Sequence, residues 1–364
     1  MPAMCSAEPG GAAARLLRRI GAVSALAMLS AAPLAAQDHE MAEAPRTVIH
    51  GFTDITYLTG GNNTGRTSAF GLGQFDLYVT SRVTDRLTFL GETVFEYDDA
   101  SSEFVVDVER VIAQFALSDH FRIDAGKVHT PLGYWNNAYH HGTVIQPTIE
   151  RPQLVQFEDD GGPLPIHTVG VQLSGRDLTD AHLGFDVLYG NPLGNRPTSD
   201  DRNEAGSVAA ALHAQLTPAL RVGVSGYRDR VVDGTDTPSG TPLAAPMTQT
   251  IAGGFLAYFD QRAEAVVEGH DIMNRSAGRT TTSPNWFAYA GVRVADRVVP
   301  YAEHEDVRLA ENDPYFTTDR FRRETLGVRY EQSASAVLKL ELRSLDRRGT
   351  DRATEAALQL ALAF

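Results

Sequence analysis

The chain is almost without cysteine: Cys5 is the only one in 364 residues. A disulfide framework and thiol chemistry in the body of the protein are thereby excluded. Lysine is nearly as scarce, with Lys127 and Lys339 alone. Arginine carries the positive charge, yet the formal net charge is −14. A phosphate backbone repels so acidic a chain, which argues against nucleic acid as a partner. After residue 36 there is no run of about 20 consecutive apolar residues, the length a single helix needs to cross a bilayer. If this part of the chain crosses a membrane, it must do so as a closed barrel. Only there do strands satisfy each other's backbone groups without water.

The first residues read as a targeting segment. Arg15, Arg18 and Arg19 precede a short apolar run from Ile20 to Ala32, and Leu34-Ala35-Ala36 supplies small residues before Gln37. That order is expected of a secretory signal peptide over 1–36, cleaved after Ala36. Cys5 lies before the apolar run, so the pattern is not that of a lipoprotein. With three arginines and one glutamate removed, the remainder sits near −16 and keeps 27 arginines. Residues 37–47 are expected to form a short periplasmic segment, and 48–364 the folded body.

What is present in that body is alternation. In Val337 to Arg347, Leu338, Leu340 and Leu342 share one face and Lys339, Glu341 and Arg343 the other. Phe75, Leu77 and Val79 alternate with Gln74, Asp76 and Tyr78. Leu87, Phe89, Thr93 and Phe95 alternate with Glu92 and Glu96. Period-2 stretches of about ten residues fit tilted strands of a membrane barrel. Sixteen such stretches begin near residues 48, 69, 86, 104, 119, 166, 181, 206, 220, 248, 263, 284, 297, 320, 336 and 353. Tight connections at Thr84-Asp85, Ser118-Asp119, Thr179-Asp180, Thr217-Pro218, Gln261-Arg262, Asp296-Arg297 and Ser333-Ala334-Ser335 alternate strictly with longer ones. The longer ones fall at 59–67, 98–103, 128–165, 190–205, 232–247, 272–283, 308–318 and 346–351. Short periplasmic turns and long external loops give this rhythm. The expected fold is therefore all-β: a transmembrane antiparallel β-barrel of sixteen strands, placed in the bacterial outer membrane. Tyr57, Tyr78, Tyr97, Tyr189, Tyr289, Tyr301 and Tyr330 are expected near strand ends as interfacial girdles. The final Phe364 closes an alternating last strand, as expected of a signal for the barrel-assembly machinery.

The third long connection, 128–165, stands out, since loops of that length usually have a task. A sixteen-stranded lumen is wide enough for water, and such a loop folded inward would narrow it. The run Gly126-Lys127-Val128-His129-Thr130-Pro131-Leu132-Gly133-Tyr134-Trp135-Asn136-Asn137 leads in, and Glu158-Asp159-Asp160-Gly161-Gly162-Pro163-Leu164-Pro165 leads out. At these residues the chain resembles the phosphate-selective porin family and related bacterial outer-membrane porins. That resemblance implies a channel, a homotrimer, and an eyelet formed partly by the third loop. It also implies anion selection by a ladder of lysines and arginines. Two lysines in a strongly acidic chain depart from that ladder, and a cation-leaning or weakly selective pore is expected instead.

Lys127, His129, Glu150, Arg151, Glu158, Asp159 and Asp160 are the candidates for the constriction, where opposed charges would set a transverse field. The bland alternative is that they pin the loop to the wall. Glu92, Glu96, Lys339, Glu341 and Arg343 are the candidates to face the lumen. His140-His141 lacks metal-ligand spacing, and Glu303-His304-Glu305-Asp306 reads as a strand end or loop rim, so no metal is expected. There is no Gly-x-Ser-x-Gly elbow, and Gly71-Leu72-Gly73 lacks the third glycine of a phosphate cradle; neither an enzyme nor a cofactor is expected. The expected function is passive diffusion of small hydrophilic solutes or ions, with outer-membrane lipids as surroundings. The alternative is a non-conducting structural or adhesive barrel.

Overall fold

The computed structural model describes residues 47–60, 68–98, 103–139, 142–158, 160–191, 193 and 206–364. The expected signal segment, His140-His141, Asp159 and the acidic Asp200-Asp201 lie outside them. The strands are β1 (Thr47–Leu58), β2 (Ala69–Arg82), β3 (Leu87–Asp98), β4 (Glu103–Ala116), β5 (Phe121–His129) and β6 (His167–Gly175). They continue as β7 (Gly184–Gly190), β8 (Ser207–Gln215), β9 (Leu220–Val231), β10 (Met247–Phe259) and β11 (Ala263–Ser276). The last are β12 (Arg279–Val292), β13 (Val298–Leu309), β14 (Asp319–Ser333), β15 (Ala336–Arg347) and β16 (Ala353–Ala363). Each pairs antiparallel with its sequence neighbours, and β1 pairs with β16, so the sheet closes into a sixteen-stranded barrel.

Closure leaves no strand edge at the seam and gives the period-2 pattern its meaning. On β15, Leu338, Leu340 and Leu342 are 41%, 53% and 59% exposed, while Lys339, Glu341 and Arg343 are at most 1% exposed. On this strand the outer face is apolar and the inner face charged, the reverse of a water-soluble domain; elsewhere the inner face also holds apolar side chains such as Ile251, Val266 and Phe287. The seam is secured at Gly51, which exchanges two backbone hydrogen bonds with Phe364 at 2.9 and 3.0 Å. The Phe364 ring lies where a Gly51 Cβ would stand and stacks on Phe75 at 5.8 Å.

One strand departs from simple alternation. Glu92 pairs with Arg110 but Thr93 pairs with Val108, so Glu109 is the extra residue of a β-bulge. A bulge re-aims the side chains around it. Val108 and Val111 stay exposed on the outer face, while Glu109 is buried and Arg110 reaches the buried Glu92 on the inner wall.

The connections follow the expected rhythm except in two places. The sixth long loop, expected over 272–283, is instead a two-residue turn, Ala277-Gly278, with φ of 47° and 79°. Two consecutive positive φ values are what a tight hairpin demands. β11 and β12 pair without interruption through most of the residues expected as loop, up to Ser276 and Arg279. Pro284 lies one residue beyond the last β12–β13 pair, where an absent donor is tolerated. Conversely, the turn expected at Thr179-Asp180 spans 176–183, with Asp177 and His182 both at positive φ.

Two other expectations are corrected. Tyr289 and Tyr301 are 1% and 5% exposed, and Tyr78 lies under the Arg110 guanidinium at 5.2 Å; all three sit on the inner face rather than in an outer girdle. Glu303 to Asp306 lie in the middle of β13, not at a rim.

Candidate functional site

The connection from β5 to β6, residues 130–166, is built on the motif at its start. Gly133 has φ +70°, and a Cβ there would meet Glu268 Oε1 at 1.7 Å. That conformation turns two backbone amides toward the barrel wall. The N–H groups of Tyr134 and Trp135 donate to Glu268 Oε2 at 2.8 and 3.0 Å. A short helix α1 (Trp135–Tyr139) follows, with Trp135 fully buried edge-on against Phe287 at 5.4 Å. Asn136 Nδ2 donates to the carbonyls of Thr130 and Ile166, drawing the two ends of the connection together.

The rest of the connection is clamped to the inner face of β13–β15. The N–H of Ile149 donates to Glu341 at 2.8 Å, and that of Gln153 donates to Glu305. Glu150 accepts from Arg323 at 2.5 Å and Arg343 at 2.7 Å. Lys339 Nζ donates to the carbonyls of Thr143 and Thr148 at 2.6 and 3.0 Å. Buried charges are costly unless paired and fully bonded, and here wall and connection satisfy each other. Arg151 is also buried, with its Nε on the Val155 carbonyl at 2.8 Å and its guanidinium 4.4 Å above Phe157. Burial lowers its pKa to about 10, leaving it charged at neutral pH.

The connection leaves open space on its other side. A cavity of about 450 Å³ lies against β1–β4, with Tyr78, Glu92, Arg110, His129 and Asn137 in its lining. A second, about 200 Å³, is lined by Asp54, Gln74, Glu150, Asp160 and Gln359. On β1–β4 the inner wall carries Asp54, Asp76 and Glu92, each at most 5% exposed, together with Glu109 and the single guanidinium of Arg110. The cationic side chains Arg323, Arg343 and Lys339 are on β14 and β15, engaged with the connection; Lys339 also donates to Gln359 Oε1 at 3.0 Å, whose Nε2 donates to Asp54 at 2.9 Å.

The candidate residues thus separate into groups. Glu92, Glu150, Arg151, Asp160 and His129 border the two cavities. Glu96 lies on the same wall, accepting from Gln74 Nε2 at 2.9 Å. Lys339, Glu341 and Arg343 are on the inner face but covered by the connection. Glu158 accepts from the Ile166 N–H at 2.8 Å, closing the exit of the connection. Lys127 serves the bulge: its Nζ donates to the Val108 carbonyl at 2.8 Å and lies 3.8 Å from Glu109. Asp54, Asp76, Arg110, Glu268 and Arg323 were missed by sequence reasoning. The adjacent charges Glu109-Arg110, breaking an alternating strand, were the available signal for one of them. Among the described residues, no group of three or more His, Cys, Asp or Glu could hold a metal ion.

No protein-family model matches the chain, and no curated protein does. Solved structures match over most of its length. The in-vitro folded OmpT of Vibrio cholerae, in a trimer form, aligns with TM-score 0.62 at 16% identity, covering 88% of this chain and 100% of that one. The OmpF of Salmonella typhi, solved in complex with daunomycin, gives 0.60 at 13%, covering 88% and 98%. The anion-selective porin of Comamonas acidovorans gives 0.59 at 12%, covering 88% and 100%. Identities this low establish a shared fold, the sixteen-stranded porin barrel.

Proposed function

We propose that this barrel is an outer-membrane porin through which small hydrophilic solutes and ions diffuse passively. One observation carries the reading: the long connection is clamped to β13–β15 and leaves two polar-lined cavities, of about 450 and 200 Å³, against β1–β4. The exposed apolar outer face supports insertion among outer-membrane lipids, because leucine and phenylalanine in such numbers would be unfavourable in water. The connection acts as the constriction. Glu150, Asp160 and Arg151 on it line one cavity with Asp54 of the wall, and Glu92 and its partner Arg110 line the other. Carboxylates outnumber cations at this passage, so the pore favours cations, and the anion ladder of phosphate-selective porins is not its mechanism. Catalysis has no part in this reading.

A homotrimer is the proposed assembly. Its support is the ring-rich outer face of β2–β4, where Phe70 is 78% and Phe104 64% exposed, and the trimer form of the Vibrio cholerae protein. Phe364, at the seam, is the proposed contact for the barrel-assembly machinery. Purified protein in a planar bilayer tests the central reading. Step-like conductance is expected. A sample with heat-shifted gel mobility that gives no steps would instead make the chain a non-conducting structural barrel.

A further inference from the structure

Three polar side chains meet on the inner face of β9–β11, against the turn that opens the connection. Ser225 of β9 and His270 of β11 each pair with Gly253 of β10, so one row crosses three strands. Gly253 is what lets the outer two meet: a Cβ there would stand 2.3 Å from His270 Cδ2. The imidazole lies across the bare glycine and brings Nε2 to 3.3 Å from Ser225 Oγ. On its other side Nδ1 lies 3.8 Å from Glu268 Oε1. His270 and Glu268 are buried, while Ser225 is half-buried and borders a cavity of about 90 Å³.

The hydrogen bonds give this cluster a direction. The Gly133 N–H donates to Ser225 Oγ at 3.3 Å, which leaves the serine's own proton for His270 Nε2. Glu268 Oε2 is taken by the Tyr134 and Trp135 amides, and Oε1 is turned to Nδ1. Among the described residues neither Oε1 nor Nδ1 has another polar partner within hydrogen-bond distance. A serine in reach of an imidazole, with the imidazole oriented by a carboxylate, is the arrangement that activates a nucleophile. At 3.8 Å the carboxylate–imidazole leg is longer than a hydrogen bond, and contacts of this kind tighten once a substrate is bound. The cavity beside Ser225 is cationic. Arg221 lies four residues before Ser225 on the same face of β9, and Arg176 and His213 join it in the lining. Arg176 closes on Asp186 at 2.9 Å, and His213 lies 3.7 Å from the same carboxylate. Among the described residues no carboxylate is in ion-pair distance of Arg221.

We infer that Ser225 is an acylation site: an activated serine that takes the acyl group of a small ester bearing a carboxylate. Ser225 Oγ bonds to the carbonyl carbon, and the bond from that carbon to the leaving alkoxide breaks. The serine proton passes to His270 Nε2 and from there to the departing oxygen, so the products are an ester on Ser225 and a free alcohol. Glu268 is a positioning residue, holding His270 with Nδ1 protonated. Arg221 binds the carboxylate, and the small cavity admits only a short chain between the two groups. The inference concerns reaction with the chain and not passage through it, so it stands apart from the diffusion reading.

The full folded chain in detergent micelles would be treated with mono-para-nitrophenyl succinate, and nitrophenolate release, intact mass and peptide masses read together. A single succinyl group on Ser225 is expected, and Ser225→Ala is expected to take none. His270→Gln is expected to slow acylation about a hundredfold or more, the worth of a general base. Glu268→Gln keeps an oxygen for the Tyr134 and Trp135 amides but turns an amide NH2 toward Nδ1. It is expected to slow acylation at least about tenfold while heat-shifted mobility stays unchanged. Arg221→Gln is expected to slow the succinyl ester roughly tenfold more than para-nitrophenyl acetate, the loss of one hydrogen bond to a charged group. A folded wild type that takes no succinyl group, or labelling that persists in Ser225→Ala, would overturn the site. So would equal rates in wild type, His270→Gln and Glu268→Gln, which would leave the cluster only an anchor for the connection. Arg221→Gln slowing both esters alike would overturn the carboxylate's place. Conductance is recorded from the same preparation, so acylation and the pore are read independently.

Discussion

At the scale of residues, the account turns on which charges hold the connection and which face the passage. Gly133 belongs to the first group. Gly133→Ala brings a Cβ onto the Glu268 carboxylate and forces a positive φ on a residue that resists it, costing about 1–3 kcal/mol in backbone strain alone. The barrel would still form, because β5 and β6 do not depend on that turn. The expected result is a lower temperature for the connection's release and noisier open-channel current. Arg323 is the sharper case, since it pairs with both Glu305 and Glu150. Arg323→Met leaves two carboxylates without their shared cation, a loss of about 3–5 kcal/mol for a buried pair. The thermal midpoint of the heat-shifted band should fall clearly below that of the wild type. Asp54 belongs to the second group. Asp54→Asn combined with Glu92→Gln should move the reversal potential in a salt gradient toward zero while single-channel conductance changes little. An unchanged reversal potential would show that ions do not pass this wall.

At the scale of elements, the strands were far more legible than the site. Alternation with a buried polar face and a lipid-like face is a strong constraint, because a one-residue slip would turn every leucine of β15 inward. Strand starts therefore agree with expectation to within a few residues almost everywhere. The exception is instructive. β11 and β12 extend through a polar hairpin in which both faces carry hydrophilic residues, such as Asn274, Arg275, Thr281 and Thr282. Polarity alone does not separate such a strand from a loop; the Ala277-Gly278 turn was the signal. The connection from β5 to β6 was legible in length and in its opening motif. Its partners were not, since Glu268, Glu305, Arg323 and Arg343 come from strands more than a hundred residues away. This element also carries a prediction. Deleting 142–150 removes the segment that reaches Lys339, Glu341 and Arg343. Conductance should rise severalfold, and the barrel's gel shift should persist.

At the scale of the whole molecule, a closed sheet with an apolar outside and a charged inside is a container for water. The net charge of −14 was readable at once, but its placement was not. The cationic side chains of β14 and β15 bind the connection, and carboxylates of β1–β3 are left beside the open space. In the proposed pore, that asymmetry turns an overall excess of acid into a preference for cations. The most direct test is the reversal potential of single channels under a potassium chloride gradient, recorded from protein whose heat-shifted mobility proves the fold. The account predicts stepwise openings with a reversal potential of the sign set by potassium. Openings with the sign set by chloride would contradict the acidic passage, and a folded protein that never opens would contradict the pore.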